Sequence, residues 1–361
     1  MKRAVGVLLT VLLALFFLAS ITMAKEAKWY VGSEKCAACH MDNFNDWQSS
    51  GHPYKLRKAE KVRYTGIPLP KGYVWDDITY VIGGANKKAR FIDKKGFIIT
   101  TAKDGSPAKT QYNMNDGTWA NYHAGEKKPY KCGPCHMTAY DEKGHKDGLP
   151  GMIGDWPESG IGCEECHGPG SLHTYMDKPD KKSIIRDTAG ERCGKCHQRD
   201  GMMIPPLASK GFIRHHEQFN EVNIGGHEGT DCVECHNPHK RAINVKAKCT
   251  DCHDDAKFIA QAKTIHGKSD VTCVDCHMPR ATKSAIKTGK FAGDVRSHMV
   301  RINIDPKAPM FVNQTIKMGK HKGKKKLVAQ GFVTLDYACI NCHGARDKKW
   351  AAKYAKEYHE K

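Results

Sequence analysis

The 361-residue sequence is poor in the residues that usually build a protein core. Hydrophobic residues make up 40% of the chain, aromatic residues only 8%, and the mean hydropathy is −0.60. After residue 24, no stretch approaches the roughly 18 consecutive apolar residues that a membrane-spanning helix requires. The sequence therefore predicts no membrane span in the mature chain, and its core needs a source other than aliphatic side chains.

Acidic residues are also scarce relative to basic ones. The chain has 58 Lys and Arg against 39 Asp and Glu, which gives a formal net charge of +19. Such a surplus can indicate a nucleic acid or an anionic membrane as partner. The basic residues could instead balance an anionic group that the chain itself carries, and this alternative has to be compared with both partners.

The one long apolar run lies at the N-terminus. Lys2 and Arg3 precede an apolar segment from about Val5 to Ala19, and a small residue, Ala24, follows at the end. This order is typical of a secretory signal peptide rather than a spanning helix. We therefore expect residues 1–24 to be removed and the protein to be exported, to the cell surface or beyond it, or otherwise to the periplasm.

No cysteine lies outside a single repeated pattern, Cys-x-x-Cys-His, which occurs eight times. The cysteines are Cys36, Cys39, Cys132, Cys135, Cys163, Cys166, Cys193, Cys196, Cys232, Cys235, Cys249, Cys252, Cys273, Cys276, Cys339 and Cys342. The histidines that close the motifs are His40, His136, His167, His197, His236, His253, His277 and His343. The pattern predicts c-type haem attachment, in which both thiols bond to the haem and the adjacent imidazole binds its iron.

Zinc and disulfides explain the cysteines less well. Structural zinc needs four ligands from two nearby pairs, and the pair Cys36 and Cys39 has no second pair within 90 residues. Disulfides in an oxidising compartment would explain an even cysteine count, but not a histidine after every second cysteine. We therefore expect eight covalently attached haem c groups.

Eight haems also account for the charge and the thin core. Removing Lys2 and Arg3 with the leader leaves a formal charge of +17, and the sixteen propionates of eight haems carry about −16. We therefore expect the basic residues to balance haem rather than to bind nucleic acid. The fold class expected is a mostly irregular multihaem cytochrome c with short α-helices and a small antiparallel β element, in which haems form the core.

The motifs are spread unevenly and suggest three segments of the mature chain. Residues 25–131 hold the first motif and a β-rich stretch, residues 132–277 hold six motifs, and residues 278–361 hold the last motif and a terminal helix. Alternating apolar residues predict strands at Ile78–Ile82, Ala89–Ile92 and Phe97–Thr101. Aromatic residues on one face predict a helix from Asp347 to Glu360.

Twelve histidines lie outside the motifs, which is enough to give each iron a second ligand. We expect the second ligands among nine of them: His52, His173, His215, His216, His227, His239, His266, His298 and His359. His123 and His145 lie in polar loop sequence and are expected at the surface. An ungapped similarity between residues 40–52 and residues 215–227, each of which ends in Gly-His, suggests a duplicated unit.

Four stretches carry a family resemblance: residues 30–36, residues 47–52, residues 154–173 with Gly160-Ile161-Gly162-Cys163, and residues 334–339. They resemble the extracellular multihaem cytochromes of metal-respiring prokaryotes, and in particular an octahaem type that forms conductive filaments. The resemblance implies bis-histidine haems in a continuous chain and, in some filament members, one ligand from the next subunit. The partners it implies are other redox proteins, extracellular electron acceptors, or further copies of the chain.

Two other functions remain open at this stage. Octahaem oxidoreductases acting on hydroxylamine, nitrite, tetrathionate or sulfite resemble the chain in haem count, and they leave one iron open or give it an unusual ligand. No Cys-x-x-Cys-Lys motif is present here, and the spare histidines can cap every iron. We therefore expect an electron-transfer protein that is not an enzyme, with a monomeric periplasmic shuttle as a further alternative.

Overall fold

The computed structural model describes residues 28–175, 179–253 and 264–358. The predicted leader and His359 lie outside these residues. Within them, short helices alternate with small sheets, as the sequence predicts. In the described residues, no helix combines the length and apolar character needed to cross a membrane.

Most helices are one or two turns long, and most of them contain or border a cysteine motif. In the described part of the chain, three helices have seven residues or more, and these are α2, α7 and α11 as bounded below. The helices are α1 Ser33–Ala37, α2 Met41–Ser49, α3 Gly133–His136, α4 Cys163–His167, α5 Ser171–Thr174, α6 Gly190–Gly194, α7 Gln218–Ile224, α8 Cys232–Cys235, α9 Ile265–Lys268, α10 Cys273–His277 and α11 Lys348–Lys356. A 3-10 turn at Cys249–Asp251 and a π turn at Asp336–Ile340 hold the remaining two motifs.

The predicted helix at the C-terminus is confirmed as α11. It begins after Asp347, whose side chain accepts a hydrogen bond from the backbone N–H of Trp350 and so caps the first turn. Trp350 and Tyr354 pack against each other on one face, with ring centroids 4.9 Å apart. This aromatic face lies against the last motif, because Trp350 also contacts the ring of His343.

A seven-stranded antiparallel sheet fills the interval between the first and second motifs. Its strands run in the order β1-β2-β3-β4-β7, and β5 and β6 extend it from β3. The strands are β1 Leu56–Lys58, β2 Ile78–Gly83, β3 Lys88–Asp93, β4 Phe97–Ile98, β5 Lys109–Asn113, β6 Trp119–Asn121 and β7 Lys128–Pro129. The three predicted strands are therefore confirmed as β2, β3 and β4, although β4 ends three residues early.

Each face of this sheet buries its own apolar cluster, because neighbouring strand residues point in opposite directions. Tyr80 and Ile92 face a cluster completed by Trp156, while Val81 and Phe91 face the opposite one. The sheet thus has an aliphatic and aromatic core of its own.

The chain after residue 136 contains more sheet than the sequence predicted. The strands are β8 Met137–Thr138, β9 Asp141–His145, β10 Ile153–Asp155, β11 Glu158–Ser159, β12 Ala208–Ser209, β13 Phe212–Arg214, β14 Thr282–Gly289, β15 Ala292–Val295, β16 Ile302–Asn303, β17 Phe311–Thr315, β18 Lys325–Ala329 and β19 Val333–Thr334. Strands β12 to β15 form a four-stranded sheet in which β13 and β14 run parallel. The prediction of a single small β element therefore underestimates the strand content of residues 278–361.

The haem-dense stretch differs from both sheet regions. Between residues 220 and 280, the described residues contribute no buried hydrophobic side chain, although the stretch has three motifs. The nearest buried apolar residues, Phe219 and Ala281, lie just outside it. The segment boundaries proposed from the sequence stay a prediction.

Candidate haem sites

Each Cys-x-x-Cys-His motif occupies a single helical turn. In five motifs, the backbone N–H of the histidine donates to the carbonyl of the first cysteine at 2.9 Å, as for His40 and Cys36. Residues three and four apart share one face of such a turn. Both thiols and the imidazole of a motif are therefore directed to one side, as attachment to a single haem requires.

Among the residues that the structure describes, seven motif histidines face a second imidazole. The ring centroids are 5.8 to 6.5 Å apart in these pairs. The pairs are His40 with His173, His136 with His216, His167 with His239, His197 with His52, His236 with His298, His253 with His227, and His343 with His266.

This spacing fits an iron between the two rings. Metal–nitrogen bonds of about 2 Å and ring radii of about 1 Å put the centroids of two imidazoles on one metal roughly 6 Å apart. The ligand atoms also fit haem iron, since two neutral imidazoles, one on each side of the iron, are a common pair of axial ligands.

Several imidazoles are oriented by a carbonyl on the far side of the ring. Nδ1 of His167 lies 2.8 Å from the carbonyl oxygen of Ile185, and Nδ1 of His277 lies 2.8 Å from that of Val300. A carbonyl can only accept, so the proton is on Nδ1 and Nε2 is free to bind a metal. His277 closes the seventh motif, and the structure gives it this orientation as well.

Burial keeps many of these imidazoles neutral. It lowers the pKa of His52 and His136 to about 3 and that of His298 to about 4, from an ordinary value near 6.5. Desolvation penalises the charged form of a histidine, which explains the direction. A neutral ring is the form that coordinates iron.

The seven pairs fall into different classes of ring orientation. The planes are nearly parallel in the pairs of His40 and His167, at 21° and 14°. They are nearly perpendicular in the pairs of His197, His136 and His343, at 80°, 88° and 86°. The remaining two pairs are intermediate, at 40° and 45°.

Contacts between thiols order the motifs in space. Four pairs of thiols from different motifs lie within hydrogen-bonding reach of each other. They are Cys36 with Cys163, Cys135 with Cys196, Cys193 with Cys232, and Cys249 with Cys273. Arg192, in the fourth motif's helix, donates to the backbone carbonyls of Glu165 and Cys166 in the third motif. Helix α10 packs against the π turn that holds the last motif.

The fifth and sixth motifs are neighbours as well, since burial raises the pKa of Cys235 and the nearby Cys252 adds to this effect. The motifs therefore follow one another as first, third, fourth, fifth, sixth, seventh and eighth. The second motif joins beside the fourth through Cys135 and Cys196. It also approaches the third, where Ala139 donates its backbone N–H to Glu165 at 2.7 Å.

Buried cations surround the second motif. Burial lowers the pKa of Lys88 to about 7 and also lowers the pKa values of Arg90 and Arg199. In the described residues, none of these three cations forms an ion pair with a carboxylate. Because buried charges are normally paired, an anionic group is expected among them, and a haem propionate is one that fits.

Lys55 is buried beside the same site. Desolvation lowers its pKa, and its charge acts on the imidazoles of His52, His136 and His216. The sequence analysis missed these four cations, because they are separated by up to 144 positions and stand in unrelated strands and loops. Only the fold brings them together.

One of the nine proposed second ligands, His215, is not placed opposite a motif histidine. His215 lies beside His216, with ring centroids 4.1 Å apart, and accepts a hydrogen bond from Arg199. His359 lies outside the described residues. His123 and His145, expected at the surface, are both exposed, and His321 contacts Asp200 at 2.8 Å.

Comparisons with known proteins identify the class of chain. A family model described as "Cytochrome c3" matches residues 156–254, and one described as "Cytochrome c554 and c-prime" matches residues 99–168. The dissimilatory sulfite reductase MccA of Wolinella succinogenes is 24% identical, over 90% of this chain and 63% of that protein. The multihaem cytochrome MtrA of Shewanella baltica is 24% identical over 46% of this chain and 50% of that protein.

Solved structures agree with these relatives. The octahaem sulfite reductase MccA matches with a TM-score of 0.64 at 19% identity, covering 87% of this chain and 65% of that one. The outer cell wall cytochrome OcwA matches with a TM-score of 0.57 at 19% identity, covering 90% and 86%. This chain thus spans a little under two thirds of the length of the sulfite reductase.

One expectation from the sequence is wrong. The chain was expected not to be an enzyme, yet an enzyme, a sulfite reductase, is similar to it over 90% of its length. Spare histidines could not support that expectation, because a supply of imidazoles does not show that each iron is permanently capped. Taken together, the motifs in helical turns, the facing imidazoles and these similarities support a multihaem c-type cytochrome with covalently bound haem c.

Proposed function

We propose that this cytochrome carries eight haem c groups and passes single electrons along them in a continuous line. The observation that supports this most directly is the set of seven facing imidazole pairs at 5.8 to 6.5 Å. An iron held by two protein ligands exchanges electrons without binding a substrate. The protein then sets the spacing of the haems and tunes their potentials through ligation, burial and nearby charge.

Two further features support the haem line. The order of the motifs, deduced from thiol contacts, the Arg192 hydrogen bonds and helix packing, runs from the first motif through the third to the eighth, with the second motif beside it. The stretch between residues 220 and 280 lacks buried apolar side chains in its described part, so porphyrin rings are the natural filling there. Haem as the core of this stretch is part of the proposal.

Mass spectrometry and magnetic circular dichroism test the proposal on the purified holoprotein. The mass should exceed that of the mature chain by eight haems, and the oxidised protein should show low-spin iron throughout. Fewer haems, or a large high-spin signal in the resting protein, would contradict a line of capped irons.

We also propose that the protein works outside the cytoplasm, with redox proteins or extracellular acceptors as partners and with assembly of its copies into filaments. The N-terminal leader supports export, and a similar protein is named as an outer cell wall cytochrome. Fractionation of expressing cells tests the location. Electron microscopy tests the assembly, and dispersed particles under all conditions would count against filaments.

A second candidate function is the reduction of a small oxyanion by electrons from the haem line. The buried cations beside the second motif favour it, because Lys88, Arg90 and Arg199 lack carboxylate partners in the described residues. A similar protein is a sulfite reductase. In this chain, the cations would bind and orient the anion, and the haem line would supply electrons.

Reoxidation of the reduced holoprotein by sulfite tests this second function. We expect Arg90→Gln to slow reoxidation about tenfold or more, since a lost charged hydrogen bond is worth roughly 1.5–3 kcal/mol. Arg63→Gln is the matched control, because Arg63 is exposed and remote from the cation cluster. Equal rates in both variants, or no reoxidation of the native protein, would rule the activity out.

A further inference from the structure

The second haem site differs from the others in the backbone of its distal ligand. His216 has a φ angle of 69°, in the left-handed region that non-glycine residues rarely adopt. The six other distal histidines paired above, all of them described, have no such angle. A residue held in this region costs conformational free energy, which is released when its side chain is allowed to move.

The two facing rings at this site are well separated and nearly perpendicular. The centroids of His136 and His216 lie 6.5 Å apart, the longest of the separations, with the planes at 88°. Nδ1 of His136 is buried without a hydrogen-bond partner in the structure, whereas Nδ1 of His167 has its carbonyl. The proximal ring here therefore lacks the orienting hydrogen bond that His167 has, as does the ring of His236.

A spare imidazole stands next to the strained one. Arg199 donates to Nε2 of His215 at 3.3 Å, because a guanidinium can only donate. The proton of the neutral His215 is then on Nδ1, which is buried and has no partner in the structure. An unpaired buried donor of this kind is costly unless something accepts from it.

The surrounding charge favours an anion as that acceptor. Arg90 has only neutral partners, the amide oxygen of Gln111 and the ring of Tyr122, whose centroid lies 3.5 Å from the guanidinium carbon. Lys88 donates to the backbone carbonyl of Ser284 at 3.0 Å. Positive charge, a spare N–H and a strained ligand thus meet at one haem site.

We propose that His216 is an exchangeable ligand and that a small oxyanion takes its place at the Cys132–His136 haem, held by Lys88, Arg90, Arg199 and His215. This inference rests on the proposed haem line. In the resting protein His216 caps the site. When the anion arrives, His216 withdraws, its backbone strain is relieved, and the His215 N–H gains an acceptor.

Carbon monoxide tests the exchange without involving charge. In the fully reduced holoprotein, we expect carbon monoxide to displace a ligand at a single haem, seen as one perturbed haem in the optical and resonance Raman spectra. In His216→Gly, one five-coordinate haem should be present before the gas is added, and carbon monoxide should still bind at only that haem.

His239→Gly is the matched control, since His239 faces His167 at 6.1 Å on a relaxed backbone. This variant should bind carbon monoxide at two haems, the vacated one and the second site. Two reactive haems in His216→Gly would place the exchange elsewhere, and no reaction in the native protein would show that His216 does not exchange. Either result overturns the proposal.

Sulfite titration of the oxidised holoprotein tests the anion site. In Arg90→Gln we expect sulfite affinity to fall about tenfold or more while carbon monoxide binding is unchanged. Unchanged sulfite affinity would mean that the cations serve only a haem propionate and would overturn the anion site. If sulfite binds but is never reduced, the inference holds and only the reductase function fails. A protein that lacks the haems or holds them high-spin instead refutes the haem line.

Discussion

At the residue scale, the imidazole planes carry information that the count of histidines does not. Ferric low-spin haem has a different magnetic anisotropy when its two axial imidazoles are parallel than when they are perpendicular. The structure has pairs of both kinds, as for His167 with His239 at 14° and His136 with His216 at 88°. The hydrogen bonds of the rings to carbonyls hold some of these orientations in place.

We predict two classes of signal in the electron paramagnetic resonance spectrum of the oxidised holoprotein. The nearly perpendicular pairs of His197, His136 and His343 should give highly anisotropic signals, and the nearly parallel pairs of His40 and His167 should give ordinary rhombic ones. His239→Met should remove intensity from the rhombic class alone. A single class for all haems would contradict these orientations.

Asp200 stabilises the fold through contacts with two cations and a histidine. Its side chain is only 2% exposed, and it contacts Lys320, His321 and Arg214, the last at 3.6 Å. We expect Asp200→Asn to cost about 2 kcal/mol of unfolding free energy at neutral pH, because it leaves these groups without their carboxylate. Asp76→Asn, at an exposed ion pair with Arg63, should cost less than about 1 kcal/mol.

The effect of Asp200 should depend on pH in a definite direction. Lys320 and its other cationic neighbours outweigh burial and hold the pKa of Asp200 below its usual value. A lowered pKa contributes stability that is complete above the unfolded value of about 3.9 and is lost as pH falls through the folded value. Denaturation of both proteins should therefore converge in strong acid, and a constant difference down to low pH would contradict the ion pairs.

At the element scale, one glycine connects a loop to a proposed haem ligand. Gly160 has a φ of 89°, and a Cβ atom there would lie 2.6 Å from the carbonyl oxygen of Pro53. The next residue, Ile161, donates its backbone N–H to the carbonyl of His52 at 3.0 Å. Close backbone approach at Gly160 thus positions the imidazole that faces His197.

We predict that Gly160→Ala destabilises the protein by about 3 kcal/mol and alters the spectrum of the haem at His197. The clash with Pro53 has no flexible partner to yield, and the positive φ adds to its cost. Gly105→Ala is the control, since Gly105 has a φ of 86° with open space around it, and should cost only about 1 kcal/mol. Equal thermal shifts in the two variants would show that the contact with Pro53 is unimportant.

Local patterns in the sequence were enough to predict the first sheet and the terminal helix. Val81 and Phe91 alternate with polar or oppositely facing residues, and Asp347 is a helix cap, so the signals are short-range. Of the strands after residue 280, β14 and β16 pair in parallel with strands distant in sequence. Pairings of this kind depend on tertiary packing rather than on local composition. The pairs β14 with β15 and β17 with β18 are antiparallel and close in sequence, and the sequence analysis did not predict them.

The proposed haem ligands could likewise be predicted only in part from the sequence. The motif histidines follow from spacing alone, and seven of the nine suggested second ligands do face a motif histidine in the structure. Which histidine faces which could not be read from the chain, since His52 faces His197, 145 positions away. Adjacent residues such as His215 and His216 look equivalent in sequence and differ only in backbone conformation and neighbours.

At the scale of the whole molecule, two kinds of interior stand side by side. The N-terminal sheet buries side chains such as Tyr80 and Phe91 on its two faces. The described part of the stretch between residues 220 and 280 buries none of this kind. The two parts should therefore respond differently to the loss of haem.

We predict that the chain made without haem attachment is cut first by proteases between residues 228 and 277, while the sheet of residues 56–130 persists. A segment without buried apolar surface cannot offset the entropy of ordering its backbone. The holoprotein under the same conditions is the control and should resist cleavage in both parts. Uniform cleavage of the haem-free chain would contradict an independent core in the sheet.

The position of the second motif affects how electrons pass through the molecule. It lies to one side of the succession from the first motif to the eighth, touching it beside the third and fourth motifs. In electrical terms it is a spur and not a link in series. Current can pass from end to end whether the spur is capped or engaged, so conduction and chemistry need not interrupt each other within one polypeptide.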